Sequence, residues 1–317
     1  MSARRGFEAT LARLAEIRAD PNGPAATADL RRALAHRSNL IVARAAEIVG
    51  EWELGEFAAD MGRAFDWFLV DAVRRDPTCA AKIALAEAMV KLEVDDSDLF
   101  ARGLGHRQLE PVWGGAAATA AHLRATRALG LARANPARAS RPLATLLADS
   151  EPDARTGAAR AIAVTGHPGA TPLLWYKTLI GDAEIAPLYE SFAGLLALEP
   201  DKAAPHVGAF LHSPSPALAE AAALALGQSR LAAAGPVLRE AWVATGDPAL
   251  RRSLLQALAA LDHDEVFAFL LELLANGPAD DARDVWGVLL VYRGDARRWR
   301  KIERLARARP DLSAEDR

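Results

Sequence analysis

A 32-residue spacing in the second half of the chain restricts its fold more than any other feature. Arg155, Arg251 and Arg283 lie 96 and 32 residues apart, both multiples of 32. The same interval relates a second set of positions, the prolines Pro152, Pro216 and Pro248. A period of about 20–50 residues indicates a stack of similar supersecondary units rather than one globular core. We therefore expect a repeat architecture here.

Each period predicts a turn followed by an amphipathic helix. Leu250, Leu254, Leu258 and Leu261 are spaced i, i+4, i+8 and i+11, which places them on one helix face. Pro or Asp opens each such segment, because Pro suits the first helical turn and Asp suits its positive end. One helix pair cannot bury its own apolar face and must stack on the next pair. The sequence thus predicts an all-α fold.

The spacing divides the chain into a less regular and a more regular part. Arg44, Lys82 and Arg124 are plausible equivalents of Arg155, but their separations of 38 and 42 residues exceed the later period. The predicted organisation is an N-terminal capping helix (1–23), a helical solenoid (24–292, irregular to about 136 and regular from about 137), and a C-terminal capping helix with a tail (293–317).

The charge is nearly balanced overall and uneven locally. The 38 basic and 41 acidic residues leave a formal net charge of -3. Residues 45–100 contain thirteen acidic against five basic residues, whereas 283–309 contain three acidic against nine basic. The nearly neutral net charge argues against nucleic acid or an anionic membrane as the partner. We expect any DNA binding to be weak and confined to the basic C-terminal segment.

Targeting signals and disulfides are not predicted. The lone Cys79 cannot form an internal disulfide, and charges interrupt the first residues where a signal peptide needs an apolar stretch. No run of about 18 apolar residues suggests a transmembrane helix. These features predict a cytoplasmic protein.

The regular segments resemble HEAT repeats. The shared pattern is Asp or Pro, two residues, Arg, alanine-rich apolar spacing and a short turn such as TGHPGATPLL, and it extends from about Ala137 to Tyr292. It is most similar to the short subtype first described in phycobilin lyases. The resemblance implies a right-handed α-solenoid of about eight helix pairs, with the second helices lining a concave face. It implies a binding surface rather than a reaction.

The favoured function is accordingly a scaffold or adaptor, taken as a monomer, that binds a protein partner along the concave face and needs no cofactor. The alternative is an enzyme of the HEAT-like class, either a DNA glycosylase type or a bilin lyase type. No catalytic motif is found. The nearest approach to a metal site is His106, Glu110 and His122, which are too few and too scattered to predict one. The chain also lacks the paired His-Glu motifs of HEAT-like deoxyhypusine hydroxylases.

Arginines on the second helices have two possible roles. In HEAT-like stacks such arginines commonly bond to a turn aspartate and to neighbouring carbonyl groups. Five residues are predicted to form this structural ladder: Arg44, Arg124, Arg155, Arg251 and Arg283. Arg160 and Arg252 fall outside the 32-residue register and are predicted to be free cations available to a partner.

The segment HRQLEPVWGG, residues 106–115, interrupts the repeat pattern. About ten residues here separate two helices that elsewhere are three to five residues apart, and such insertions often carry binding surfaces. The predicted partner-binding residues in this segment are His106, Arg107, Glu110, Val112 and Trp113. A helix is expected to follow from about Ala116. The alternative is that Trp113 folds back as a lid over the third and fourth repeats.

Overall fold

The computed structural model describes residues 2–21, 23, 25–309 and 311–312 and divides the chain into two compact units, Met1–Lys177 and Thr178–Arg317. The described residues form 19 α-helices, and their only strands are two short ones. The prediction of an all-α repeat fold is confirmed. Most of the predicted C-terminal tail, 313–317, lies outside the described residues.

The first unit consists of short helices and one hairpin. Its elements are α1 (Ser2–Ala19), α2 (Ala26–Leu34), α3 (Asn39–Glu51), α4 (Ala58–Leu69), α5 (Ala72–Arg75), α6 (Ala80–Lys91), α7 (Ser97–Ala101), β1 (Leu109–Val112), β2 (Gly115–Ala118), α8 (Ala121–Ala134), α9 (Pro136–Leu147) and α10 (Pro152–Thr165). The next helix, α11 (Thr171–Ile180), extends across the boundary between the units.

The second helices of successive pairs stack in the first unit. Helix α3 packs on α6, α6 on α8, and α8 on α10. The last contact is very close, because a Cβ added at Gly157 of α10 would lie 2.3 Å from the Cβ of Ala125 of α8. Small residues at this contact therefore set the distance between the helices.

The second unit repeats the arrangement. Its helices are α12 (Ile185–Leu198), α13 (Pro200–Ala209), α14 (Pro216–Gln228), α15 (Ala234–Ala244), α16 (Pro248–Leu261), α17 (Asp264–Asn276), α18 (Ala279–Leu289) and α19 (Ala296–Arg307). Helices α12, α14, α16 and α18 stack in that order, and α13, α15 and α17 pack beside them.

The predicted helix starts follow local chemistry. Pro152, Pro216 and Pro248 each stand in the first turn of their helix. The carboxylate of Asp247 accepts a hydrogen bond from the Ala249 N–H at 2.9 Å and so caps α16. The 32-residue period is thus a period of helix starts.

The expectation of a helix from about Ala116 is wrong. Strand β2 occupies Gly115–Ala118, and α8 begins at Ala121. The Trp113–Gly114 turn reverses the chain, with Gly114 at a φ of +87° that favours glycine, and the Thr119 N–H donates to the Gln108 carbonyl at 3.0 Å. Cross-strand bonding therefore overrides the helix propensity of the alanines.

None of the described helices combines the length and hydrophobicity that crossing a bilayer requires.

Candidate functional site

The hairpin of β1 and β2 stands where the sequence predicts a specialised surface. The strands pair antiparallel, with Leu109 opposite Ala118 and Val112 opposite Gly115. The Trp113 side chain is 103% exposed, and Val112 and Leu109 are also exposed. We call Leu109, Val112 and Trp113 the hairpin tip. Trp113 is not a lid over neighbouring repeats, because nothing in the first unit covers it.

Glu110 fastens the base of the hairpin. Its Oε1 accepts three hydrogen bonds, from the Thr78 N–H at 2.6 Å, Gln108 Nε2 at 2.7 Å and Thr119 Oγ1 at 2.7 Å. Gln108 is buried and also donates to the Asp76 carbonyl at 2.9 Å. These contacts tie both strands to the segment that precedes α6.

A buried ion pair lies beneath this base. Lys82 Nζ is 2.9 Å from Asp76 Oδ2, and both side chains are fully buried. The Asp76 carboxylate also accepts the Ala81 and Lys82 N–H groups at the start of α6. Thr78 and Cys79 have φ values of +60° and +57°, a strained conformation for residues other than glycine. This strained turn aims the Thr78 N–H at Glu110.

Arg124 connects the hairpin to the next repeat. It donates Nε to Asp149 Oδ2 at 3.0 Å and Nη2 to Asp149 Oδ1 at 2.8 Å, and its Nη1 donates to the His106 carbonyl at 2.9 Å. Arg107 adds an outer contact, with Nη1 2.5 Å from Asp149 Oδ2. His106 Nε2 lies 3.2 Å from Gln108 Oε1. The predicted polar residues of the insertion therefore belong to one network.

The protonation states follow from burial and bonding. Burial acts to raise the pKa of Glu110, but hydrogen bonds from Thr119, Gln108 and Thr78 outweigh it and hold that pKa below its ordinary value. Burial lowers the pKa of His106 and raises the pKa of the Cys79 thiol. At neutral pH the site thus holds an ionised Glu110, an uncharged His106 and an un-ionised thiol.

Comparison with known families identifies the repeat. Residues 204–287 match the family model of HEAT repeats. The match places HEAT repeats in the second unit. Among curated protein sequences none matches this chain.

Two solved structures are similar to this chain. One belongs to the complex of CpcE and CpcF of phycocyanin lyase from Nostoc sp. PCC7120, with 20% identity, a TM-score of 0.39, and coverage of 76% of this chain and 92% of that one. The other is human deoxyhypusine hydroxylase in complex with glycerol, with 19% identity, a TM-score of 0.32, and coverage of 81% and 91%.

The predicted ladder arginines have different surroundings in the stacked helices. Arg124 is buried against Asp149, Arg155 donates to the Asp149 and Ser150 carbonyls, and Arg251 donates to the Trp242 carbonyl and to Asp281. Arg44 and Arg283 are about half exposed and pair with acids on their own helices, Glu47 and Asp280. The repeats thus bury some of these arginines and leave others at the surface.

Arg160 and Arg252 line separate grooves on the second helices. Arg160 borders a groove of about 400 Å³ between α6, α8 and α10. Arg252 borders one of about 570 Å³ between α16 and α18, and no carboxylate pairs with it among the described residues. Neither residue joins the hairpin network.

The three residues weighed as a metal site are divided between two places. His122 lines the groove between α6, α8 and α10, where its Nε2 is 2.9 Å from Glu87 Oε1. His106 and Glu110 lie in the hairpin network instead. Over the described ranges, no group of three or more His, Cys, Asp or Glu side chains is placed to hold a metal ion.

Sequence reasoning missed Arg127, a fully buried cation on α8. Its guanidinium carbon lies 3.5 Å from the ring centroid of Phe65, Nη1 donates to the Leu99 carbonyl at 3.0 Å, and Nε and Nη2 find no partner. Burial lowers the pKa of Arg127 to about 9. A signal was present, because Leu123, Arg127 and Leu131 are four residues apart on the buried stripe of α8.

Proposed function

We propose that this HEAT-repeat chain is a protein-binding scaffold and that a protein partner docks on the hairpin tip. The observation that carries the proposal is the full exposure of Trp113 on a hairpin with a fixed base. A tryptophan buries about 150–250 Å² when covered, and Trp is enriched among the residues that dominate binding energy. A fixed base lowers the conformational entropy lost on binding. The partner should offer an apolar pocket for the indole.

Two buried carboxylates have structural partners that keep them from acting on a substrate. An acid or base in catalysis must reach a substrate, but Asp76 is fully buried against Lys82, and Asp149 is buried against Arg124. Both carboxylates also accept backbone N–H groups. These ion pairs and hydrogen bonds account for the burial of both carboxylates.

Site-specific photo-crosslinking tests the proposal. A photoreactive phenylalanine analogue is placed at Trp113 in one variant and at Val243 in a control, since Val243 is an exposed apolar residue on α15. In cells of origin we expect a discrete crosslinked protein from position 113 and not from position 243. Purified partner should then lose affinity for Trp113→Ala by more than about tenfold, as for an interface hot spot. Equal crosslinking at both positions, or unchanged affinity, contradicts a docking role for the tip.

A further inference from the structure

The charged side chains on the exposed face of α19 are all positive. Ile302 and Ala306 are buried on the opposite side of the helix. Four exposed residues at intervals of three and four form what we call the basic face: Arg297, Arg300, Lys301 and Arg304. At 1.5 Å per residue this face extends about 11 Å along the helix from Arg297 to Arg304.

The basic face is not neutralised within the second unit. Among the residues that the structure describes, no carboxylate pairs with Arg297, Lys301 or Arg304. Arg298, on the flank of the same helix, is by contrast surrounded by Asp262, Asp264 and Asp295. Within the described part of the chain, acids therefore pair with the flank of α19 and none pairs with Arg297, Lys301 or Arg304 on its outer face.

This arrangement works against the stability of the helix. Arg297 and Lys301, like Arg300 and Arg304, are like charges at i and i+4, which repel. Arg297 also stands in the first turn, where the helix dipole disfavours cations. The Asp295 cap, which accepts the Arg297 and Arg298 N–H groups, offsets part of this cost. A helix that needed only a solvated outer face would be more stable with mixed charges on it, so a face that carries only positive charges points to an anionic partner.

The surroundings favour a short acidic protein segment over a polyphosphate or a bilayer. Helix α17, on which α19 packs, carries exposed Asp264, Glu265 and Glu272, which would repel a phosphate backbone continuing across it. Trp299 is half-buried against Trp286, so it is not available to insert among lipids. The basic face is narrow and is bordered by acidic side chains. A partner helix with its carboxylates along one side fits such a surface.

We infer that the basic face binds an acidic helical segment of a protein partner, through carboxylates that alternate at three- and four-residue intervals. This inference rests on the proposed scaffold function and names the chemistry of a second contact, separate from the hairpin tip. It also predicts that binding weakens steeply with salt, because the contacts are exposed ion pairs.

The test uses the full chain and a fluorescein-labelled, alanine-based helical peptide with glutamates at i, i+3, i+4 and i+7. Fluorescence anisotropy is measured at low and at physiological salt. The triple variant Arg297→Gln, Lys301→Gln, Arg304→Gln should bind the peptide about tenfold more weakly or worse. The control Arg44→Gln, Arg63→Gln, Arg74→Gln removes the same charge from exposed residues of the first unit and should bind normally. Trp113→Ala should also bind normally, which separates this inference from the hairpin docking.

Four results of the binding measurements overturn the inference. They are no peptide binding at low salt, equal loss in the control variant, tighter binding to a DNA duplex of matched length, and tighter binding to vesicles of anionic phospholipid. The melting temperature of the triple variant supplies a further check. Loss of like-charge repulsion should leave it unchanged or raise it, whereas a clear fall would mean that the cations hold α19 in place and would also overturn the inference.

Discussion

Arg124 grips Asp149 with two parallel hydrogen bonds inside the first unit, Nε to Oδ2 at 3.0 Å and Nη2 to Oδ1 at 2.8 Å. Both side chains are about 1% exposed. Removal of one partner leaves the other as an uncompensated buried charge, which is why such pairs are costly to break even when they add little to stability as a whole. The pair also joins the hairpin network to the turn before α10.

Arg124→Ala should lower the free energy of unfolding by about 3–5 kcal/mol, because the buried Asp149 would lose its buried cation and keep only the exposed Arg107 and the Glu151 N–H as donors. Arg44→Ala is the matched control, since Arg44 is 48% exposed and pairs only across one helical turn. The control should change stability by less than about 0.5 kcal/mol. Urea unfolding of both variants measures the difference. Similar losses would show that burial does not distinguish these arginines.

Arg127→Met should leave stability unchanged or raise it by about 1 kcal/mol, because the charge is buried with Nε and Nη2 unpaired and Met nearly fills the same space. Arg127→Ala should instead destabilise the chain by about 2–5 kcal/mol through the cavity beside Phe65. Denaturant unfolding distinguishes the two. A loss in Arg127→Met as large as in Arg127→Ala would mean that the cation–π contact outweighs desolvation.

Glu110→Ala should release the hairpin, because the Thr78 N–H and Gln108 Nε2 would lose their shared acceptor. We expect a loss of about 1–3 kcal/mol in local stability. Amide hydrogen exchange within residues 109–119 should accelerate, while exchange in α16 stays unchanged. Glu56→Ala, an exposed acid elsewhere in the first unit, serves as the control. If exchange stays slow in Glu110→Ala, the backbone hydrogen bonds alone hold the hairpin in place.

Acidification should destabilise the chain through His106. Burial holds the folded-state pKa of His106 below its ordinary value of 6.5, so the unfolded chain takes up the proton first as the pH falls. The free energy of unfolding should therefore decrease as the pH drops through 6.5 toward the lowered folded-state value. His106→Gln should flatten this dependence between about pH 7.5 and about pH 5.5. His206, whose pKa burial also lowers, should account for part of the remaining slope. An unaltered slope in His106→Gln would contradict this assignment.

The sequence predicted local features well and non-local ones poorly. Pro152 and Asp247 act on the first turn of their own helices, so their effect is visible in a short window. The hairpin was missed because Gly115–Ala118 has the composition of a helix, and it is a strand only through its pairing with Leu109–Val112. Arg127 was missed for the same reason, since its neighbours Phe65 and Leu99 lie far away in the sequence.

Gly157 tests how closely the second helices must approach. Alanine normally stabilises a helix relative to glycine by about 1 kcal/mol, but a Cβ at position 157 would lie 2.3 Å from the Cβ and 2.6 Å from the Cα of Ala125. The backbone of α8 cannot move aside without opening its contact with α10. Gly157→Ala should therefore lower the free energy of unfolding by about 1–2 kcal/mol, as overpacking outweighs helix propensity.

Gly287 on α18 is the matched control, because nothing lies within 4 Å of a Cβ added there. Gly287→Ala should raise the free energy of unfolding by about 0.5–1 kcal/mol. Thermal and urea unfolding of the two variants should give shifts of opposite sign. Stabilisation by both substitutions would show that α8 and α10 are separated widely enough to admit a side chain, and that small residues do not set the spacing of this stack.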